Sequence, residues 1–248
     1  MADPIVEVQN LRKTYGPKVA VADVSFSVAP GEIFGILGPN GSGKTTAVEC
    51  IAGLRDADDG HILVIGIDPQ THPDLIREHV GIQFQEAGLH DKVTVLEALS
   101  LFASFYETPA DVDDLLTVLD LKDTRDARFK SLSGGQKQRV SIALALVGNP
   151  KVAILDELTQ GLDPQARRTT WEVVRRARDT GATVLLVTHF MEEAERLCDR
   201  LVILDHGRII AEGSPQELID SVGDARSLED VFVALTAKSP AASTTRSA

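Results

Sequence analysis

Cysteine, basic charge and long apolar runs are all scarce in this sequence of 248 residues, and each scarcity excludes a class of protein. Lys and Arg together number 25 against 37 for Asp and Glu, a formal net charge of -12, which argues against a general nucleic-acid binder with a basic face. The apolar runs, such as residues 184–187 and 201–204, are far shorter than the roughly 18 to 20 residues that a membrane-spanning helix needs. The two cysteines, Cys50 and Cys198, lack metal-ligand spacing and are predicted to be small buried residues.

The length of the chain and its hydrophobic content of 43% are sufficient for one sizeable core. No basic segment followed by an apolar stretch stands at the beginning, so the sequence predicts a cytoplasmic protein without a secretory signal. Residues 1–236 are predicted to form a single domain. The small and polar residues at 237–248 are predicted to be a disordered tail.

Strand and helix patterns alternate through most of the chain. Apolar and polar residues alternate at 5–11 and 19–28, as in half-buried strands, and residues 32–37 are typical of a buried strand. The same reasoning predicts further strands at 61–65, 80–84, 152–155, 183–187 and 201–204, and helices at 43–53, 74–78, 94–106, 112–119, 134–147, 164–178, 191–197 and 228–235. This order indicates an α/β fold with a mostly parallel sheet and a helical subdomain at about residues 86–149.

A glycine-rich segment follows the predicted strand at 32–37 and precedes a predicted helix. It consists of Gly38, Pro39, Asn40, Gly41, Ser42, Gly43, Lys44, Thr45 and Thr46, which fits the pattern of a phosphate-binding loop. Glycines let backbone N–H groups point at phosphate oxygens, and the positive end of the following helix adds to the attraction. Lys44 is predicted to reach the β- and γ-phosphates of a nucleotide, and Thr45 to coordinate Mg²⁺. The alternative is an ordinary glycine-rich turn.

Two adjacent carboxylates, Asp156 and Glu157, follow the apolar residues 152–155. Sheets of the α/β class bind their ligands at the carboxyl ends of the strands. Asp156 is therefore predicted to hold Mg²⁺ through a water molecule, and Glu157 to polarise the water that attacks the γ-phosphate. The alternative is a strand end that only meets solvent.

A second predicted helix also begins with phosphate-seeking backbone groups, at Ser133, Gly134, Gly135 and Gln136. Taken alone, such a start is often only a helix cap, and that alternative stays open here. One nucleotide needs only one such helix end, so the second one requires an explanation.

Residues 132–136 resemble the signature motif of ABC transporter ATPases, and their place between the phosphate loop and Asp156 matches the order in that family. The resemblance covers residues 5–235 and implies a P-loop NTPase fold, an ABC-type nucleotide-binding domain with antiparallel N-terminal strands. Two such subunits pair head to tail, so the signature of each copy would complete the ATP site of the other. The resemblance also implies a separate transmembrane permease, a peripheral place at the inner face of the cell membrane, and no nucleic-acid partner.

Further positions match the family residue by residue. Tyr15 resembles the aromatic residue that stacks on adenine, with a half-buried strand tyrosine as the alternative. Gln85 resembles the glutamine that approaches Mg²⁺ and the attacking water, and the residues that follow it favour it over Gln83. Asp163, in the segment 161–163, resembles the D-loop that crosses the dimer interface. His189 resembles the switch histidine that bonds the γ-phosphate, with a structural histidine as the alternative.

The resemblance thus implies a complete ATPase, whose predicted catalytic residues are Glu157, His189, Gln85 and Lys44 and whose metal ligands are Thr45, Gln85 and Asp156. One departure is visible at Leu158, where the family usually has proline, and it predicts a more flexible turn before the D-loop.

The later part of the chain resembles one type of transporter in particular. Residues 191–200, 206–213 and 227–232 are similar to bacterial drug-resistance exporters of the daunorubicin type. The resemblance implies an exporter of drugs, lipids or other hydrophobic or polymeric cargo. Two alternatives stay open, an ABC-type ATPase that regulates a cytosolic partner without transport and an ATPase that energises an importer.

Overall fold

The computed structural model describes residues 3–83 and 88–237 of the chain. The strands within these ranges are β1 (Val6–Tyr15), β2 (Lys18–Val28), β3 (Ile33–Leu37), β4 (Asp59–Val64), β5 (Val80–Gln83), β6 (Val152–Asp156), β7 (Thr183–Thr188), β8 (Arg200–Asp205) and β9 (Arg208–Gly213). The α-helices are α1 (Lys44–Ile51), α2 (Pro73–His79), α3 (Val95–Ala103), α4 (Val112–Val118), α5 (Gly134–Leu146), α6 (Pro164–Asp179), α7 (Met191–Leu197), α8 (Pro215–Asp220) and α9 (Leu228–Ala237). Gln85 and the predicted tail from residue 238 onwards lie outside the described residues.

The strands form a sheet in the order β4-β1-β2-β9-β8-β3-β7-β6-β5. The pairs β5–β6, β6–β7, β7–β3 and β3–β8 are parallel, whereas β1 pairs with β2 and β4 in antiparallel orientation. Every residue of β3 and β7 is buried, as expected for central parallel strands that are covered on both faces. The predicted α/β class, with a mostly parallel core and antiparallel N-terminal strands, is confirmed.

Two hydrophobic clusters lie on the opposite faces of this sheet, and β3 contributes to both. Ile33 and Leu37 pack in the cluster beneath helices α3 to α7, while Phe34 and Ile36 pack in the cluster that contains α1, because successive strand residues point to opposite faces. The cysteines divide in the same way and are both buried, which confirms the prediction made for them. Within the described ranges, no helix is long and apolar enough to span a bilayer.

The structure adds two elements that the sequence patterns did not predict. Strand β9 is antiparallel to β8 and touches β2, so it joins the N-terminal strands to the parallel core. Its residues are only partly buried and do not alternate clearly, which hid the strand. Helix α8 is short, but Ser214 and Glu217 form a capping box at its start, a signal that the sequence contains.

Candidate functional site

The predicted phosphate loop connects the buried strand β3 to helix α1. Gly43 has φ +106°, and a Cβ atom there would lie 2.4 Å from the carbonyl oxygen of Ala20. Gly41 has φ +82°, a conformation that residues with side chains rarely adopt. No side chain in the described ranges caps the first turn of α1. The backbone N–H groups of this turn are therefore left for a ligand.

The side chain of Lys44 is folded over the loop. Its ammonium group donates to the carbonyl oxygens of Gly38 at 2.8 Å and Pro39 at 3.0 Å, and the residue is only 5% exposed. Burial lowers the pKa of Lys44, while the nearby carboxylates of Glu157 and Asp156 raise it. The partners of the Lys44 ammonium group are thus two neutral carbonyl oxygens. The charged oxygens of a phosphate group can replace these carbonyl oxygens as stronger acceptors.

Ser42 leaves an unsatisfied hydroxyl group inside the same loop. Its Oγ atom is buried and forms no hydrogen bond with any of the described residues. Its carbonyl oxygen accepts from the backbone N–H of Gly207 at 2.9 Å, which ties the loop to the turn between β8 and β9. Because a buried polar group without a partner is costly, the Ser42 hydroxyl fits an oxygen atom of a bound phosphate.

The two predicted acids stand at the carboxyl end of β6, beside the loop. Burial, followed by the neighbouring charge of Glu157, raises the pKa of Asp156 to about 6, against the opposing effect of Lys44. Burial of Asp156 beside the lysine is the arrangement that a divalent cation would stabilise. Asp156 and the Thr45 hydroxyl are the predicted metal ligands that fall within the described ranges.

Glu157 and the predicted switch His189 are in contact. His189 Nδ1 lies 3.0 Å from Glu157 Oε1, because the histidine follows β7, the strand beside β6. Glu157 has φ +51°, unusual for a residue with a side chain, and its backbone N–H donates to Val187 O at 2.9 Å. Leu158, which stands where the family has proline, is fully buried in the core beneath the helices. The prediction of a flexible turn there stays a prediction.

These residues surround a cavity of about 330 Å³. The predicted residues that line it are Tyr15, Asn40, Gly41, Gly43, Lys44, Thr45, Thr46 and Glu157. Lys18, Ala20 and Gln160 also line the cavity and were not predicted. Of these, Lys18 has a signal in the sequence, since a polyphosphate ligand needs local cations and this lysine begins the strand after Tyr15.

Tyr15 stands at the mouth of the cavity, as the last residue of β1. The residue is 40% exposed, and the Arg55 guanidinium lies 5.2 Å and the Lys13 ammonium 6.0 Å from the ring centroid. Arg55 pairs with Glu49, and Lys13 with Asp58, each at 2.7 Å. A ring with this exposure is able to stack on a planar base.

The signature segment lies elsewhere, at the start of α5. Ser133 Oγ accepts from Gln136 N at 3.3 Å, and Gln136 Oε1 accepts from Ser133 N at 2.9 Å, so the two residues form a capping box. The alternative that this segment caps its own helix is therefore confirmed for the single copy. Among the described residues, the segment from Ser133 to Gln136 contributes nothing to the lining of the cavity. Asp163 likewise caps a helix, accepting from the first turn of α6 at 2.9 Å.

Gly134 and Gly135 pack close to the segment that contains Asp163. A Cβ atom on Gly135 would lie 3.1 Å from the Cβ atom of Ala166, and one on Gly134 would lie 3.6 Å from Leu162. The close approach of α5 to α6 therefore favours glycine at position 135, apart from any ligand.

Metal ligands are few in the described parts of the chain. They contain no group of three or more His, Cys, Asp or Glu side chains that could hold a metal ion. Mg²⁺ needs no such group in nucleotide sites, because one or two carboxylates together with the phosphates of the substrate are sufficient.

The fold and the site together define a P-loop ATPase. The loop, the two acids at the end of β6 and the histidine after β7 form one corner of the sheet. A family model described as ABC transporter matches residues 21–160. The chain belongs to this family and is an ATP-binding, ATP-hydrolysing subunit of a transporter.

Curated relatives agree with this assignment. The chain is 42% identical over 222 residues to a protein of Rhizobium etli named Nod factor export ATP-binding protein I, covering 88% of this chain and 70% of the relative. It is 46% identical over 221 residues to a protein of the same name from Burkholderia thailandensis, covering 87% and 73%.

Solved structures give the same result at the level of the fold. The ATP-binding subunit of an ABC transporter superposes with a TM-score of 0.82 at 31% identity, over 94% of this chain and 99% of that one. An ABC transporter cassette in its ADP conformation gives 0.79 at 28% identity, with coverage of 94% and 99%. A dimeric bacterial cassette gives 0.73 at 28% identity, over 84% of this chain and 98% of that one.

Proposed function

We propose that this ATPase subunit energises an exporter from the inner face of the cell membrane, in a head-to-tail dimer bound to a transmembrane permease. Two observations support export. The curated relatives carry export in their names, and the C-terminal segments resemble daunorubicin-type exporters. The cargoes of these two groups differ, one being a Nod factor and the other a drug. The proposal therefore specifies the direction of transport and assigns the choice of cargo to the permease.

The observation that supports the proposal of a dimer is the separation between the cavity and the signature segment. The cavity is lined by the phosphate loop and Glu157, while Ser133, Gly134, Gly135 and Gln136 of the same copy lie outside its lining. In the proposed dimer, the signature of the second copy closes the cavity over the γ-phosphate. The similarity to a dimeric cassette supports this arrangement.

The residues of the cavity have distinct roles in hydrolysis. Lys44 exchanges its loop carbonyl partners for the β- and γ-phosphates, and Tyr15 stacks on the adenine. Glu157 accepts a proton from the attacking water. His189 moves from Glu157 to the γ-phosphate, which leaves Glu157 oriented toward the water.

Three residues are proposed to hold Mg²⁺, namely Thr45 through its hydroxyl, Asp156 through a water molecule and Gln85 through its amide oxygen. Held by these residues, Mg²⁺ would supply positive charge against the negative charge of the phosphates. The buried position of Asp156 supports this role, because a carboxylate with a raised pKa is stabilised in its ionised form by a cation.

The permease is proposed to contact exposed apolar residues of the helical subdomain. Leu101 and Phe105 are large apolar residues that are exposed on and just after α3, and Phe105 packs against Phe102 with ring centroids 5.9 Å apart. A charged residue at position 105 is expected to weaken binding of the permease and leave the ATP affinity of the isolated subunit unchanged.

Purification with a tag on this chain tests the proposal. We expect a stoichiometric integral-membrane partner, and ATP hydrolysis that depends on Mg²⁺ and rises more than linearly with the concentration of the subunit, because the active form is a dimer. Recovery of only soluble partners would contradict the proposal and support a regulator of a cytosolic protein. Vesicles that contain the complex and accumulate cargo away from the ATP-containing side would establish export.

A further inference from the structure

Glu193 is the most deeply buried of the charged residues that the structure describes. It lies in the first turn of α7, four residues after His189, and is 0% exposed. Burial raises the pKa of its carboxyl group. Because a carboxylate inside a protein is costly without polar partners, the contacts of Glu193 indicate what its burial achieves.

The partners of Glu193 come from different segments of the chain. Trp171 Nε1, on α6, donates to Glu193 Oε1 at 3.2 Å. The hydroxyl groups of Thr188 and Thr159 are close enough to lower the pKa of the carboxyl group, as is the charge of Arg167. Both threonines are themselves fully buried. The carboxyl group thus stands at the centre of a buried polar cluster.

The two threonines lie close in sequence to residues of the proposed mechanism. Thr159 follows the catalytic Glu157 by two residues and precedes the D-loop, and Thr188 immediately precedes His189. The Thr188 hydroxyl accepts from the backbone N–H of Phe190 at 3.0 Å, so its own proton is available to Glu193. The Thr188 hydroxyl is thus bonded to the backbone just after His189, and it can also donate to Glu193.

One contact of the cluster is incomplete. Among the residues that the structure describes, neither Thr159 Oγ1 nor Glu193 Oε2 has a hydrogen-bond partner of normal geometry, although both atoms are buried. The ring centroid of Phe190, beside the histidine, lies 5.4 Å from the guanidinium of Arg167, whose buried Nε has no partner within the same described ranges. Buried groups left partly unsatisfied call for an explanation, and a second arrangement of the cluster would supply one.

We propose that Glu193 is a positioning residue, which acts through Thr188 to hold His189 against Glu157 and couples this contact to the D-loop through Thr159. When His189 moves to the γ-phosphate, Thr188 moves with it, and Glu193 completes its bond to Thr159. Glu193 itself touches neither nucleotide nor water. This inference rests on the roles proposed above for Glu157 and His189.

Glu193→Gln tests the proposal, because it preserves the shape and the bond from Trp171 but replaces one carboxylate oxygen with a donor. We expect kcat for ATP hydrolysis to fall between about tenfold and a hundredfold, as for a misplaced catalytic group, while KM changes less than about twofold. Glu172→Gln is the matched control, since Glu172 is exposed beside Trp171 on the same helix. It should leave both parameters unchanged.

The combination with His189→Ala separates positioning from general destabilisation. Glu193→Gln should lower kcat little further in the His189→Ala background, since its effect passes through the histidine. An equal loss in both backgrounds, or a single variant with kcat within about twofold of the unmodified protein, would overturn the proposal. Thr188→Val removes the hydroxyl donor by a second route and should reproduce the fall in kcat, which covers the case in which Glu193→Gln fails to fold.

Trp171 is the single tryptophan of the chain and reports on the cluster by fluorescence. ATP should change its emission more than ADP does, because only ATP carries the γ-phosphate that attracts His189. Glu193→Gln should abolish this difference while preserving ATP affinity, and equal responses to ATP and ADP in the unmodified protein would contradict the coupling. If Glu157→Gln and His189→Ala leave hydrolysis intact, the proposed function fails; if they abolish it and Glu193→Gln is neutral, only this inference fails.

Discussion

Two helix N-termini in this protein have similar sequences but differ in how their first turns are capped. Helix α1 begins after glycine and serine residues, and among the described residues no side chain caps it and none bonds to the buried Ser42 Oγ. Helix α5 begins after a serine followed by two glycines and carries a complete capping box between Ser133 and Gln136. The first terminus depends on a ligand from outside, whereas the second is satisfied by its own residues.

This difference indicates how the two ends cooperate. In the proposed mechanism the end of α1 binds nucleotide in a single copy, because Gly43, Lys44, Thr45 and Thr46 already line the cavity. The end of α5 is stable without a ligand, so it can form part of the surface of a free subunit and engage a phosphate only when a second copy approaches. The two helix ends thus support the proposal of a subunit that binds ATP alone and hydrolyses it in a dimer.

The largest expected effect is that of Glu157→Gln, which leaves both helix ends intact and removes the proposed base. We expect kcat to fall by a factor of about 10² to 10⁴, the usual contribution of a positioned base. ATP binding should persist, and the ATP-bound dimer should accumulate because it no longer reopens by hydrolysis. Phosphate release and light scattering with ATP measure the two effects, and near-normal turnover would remove Glu157 from the mechanism.

Lys44→Ala removes the proposed phosphate-binding cation at the start of α1 and leaves the start of α5 unchanged. Loss of a charged partner for the phosphates is expected to weaken ATP binding by about tenfold to a hundredfold, corresponding to roughly 1.5–3 kcal/mol. Lys137→Ala is the control, because Lys137 lies at the start of α5, where its ammonium group is 5.3 Å from the Phe129 ring. Calorimetric titration of the isolated subunit should show an unchanged affinity for ATP in the control. An unchanged affinity for ATP in Lys44→Ala would contradict the assignment of Lys44 to the phosphates.

Ser133→Ala removes the side-chain cap at the start of α5. Loss of the capping bond should lower the free energy of unfolding by about 1 kcal/mol, and ATP hydrolysis should fall while the ATP affinity of the single copy is retained. Ser214→Ala is a closely matched control, because Ser214 and Glu217 form the same capping box at α8. If the two variants lose stability and activity to the same extent, Ser133 is only a cap and its role toward a second nucleotide is excluded.

The α1 end was easier to predict from sequence than the residues around it. Fixed spacing between Gly38, Gly43 and Lys44 identifies the loop because the backbone path itself requires glycine. Lys18 and Gln160 were missed, since each reaches the cavity from a segment whose position depends on the tertiary fold. Strand β9 was missed for a related reason, because a partly buried edge of the core gives no clear alternation.

The α5 end was predicted only through a family resemblance. Its local signal, a serine followed by two glycines, describes a cap equally well, and the cap is what a single copy contains. The buried Glu193 was also missed, because in the sequence it is one of several acids on a polar helix. Its contacts with Trp171, Thr188 and Thr159 join residues far apart in the chain, which spacing cannot show.

The smallest effect concerns the negative charge of Asp156, at the end of β6 beside the nucleotide-free phosphate loop. The folded pKa of Asp156 is about 6, above its ordinary value of 3.8, so the folded protein binds this proton more tightly than the unfolded chain does. Ionisation of Asp156 is thus expected to lower stability as the pH rises from about 4 to about 6, and the loss remains at neutral pH. With allowance for partial solvent exposure, the loss is on the order of 1 kcal/mol.

Asp156→Asn should therefore stabilise the nucleotide-free protein at pH 7 in the presence of a chelator, even though it removes a proposed metal ligand. Denaturant unfolding at pH 4.5 and pH 7 measures the difference, which should be larger at pH 7. Asp163→Asn is the control, because Asp163 caps α6 by accepting hydrogen bonds from its first turn and its replacement should give no gain. A variant that is less stable at pH 7 would show that the ionised Asp156 stabilises the nucleotide-free fold, contrary to this prediction.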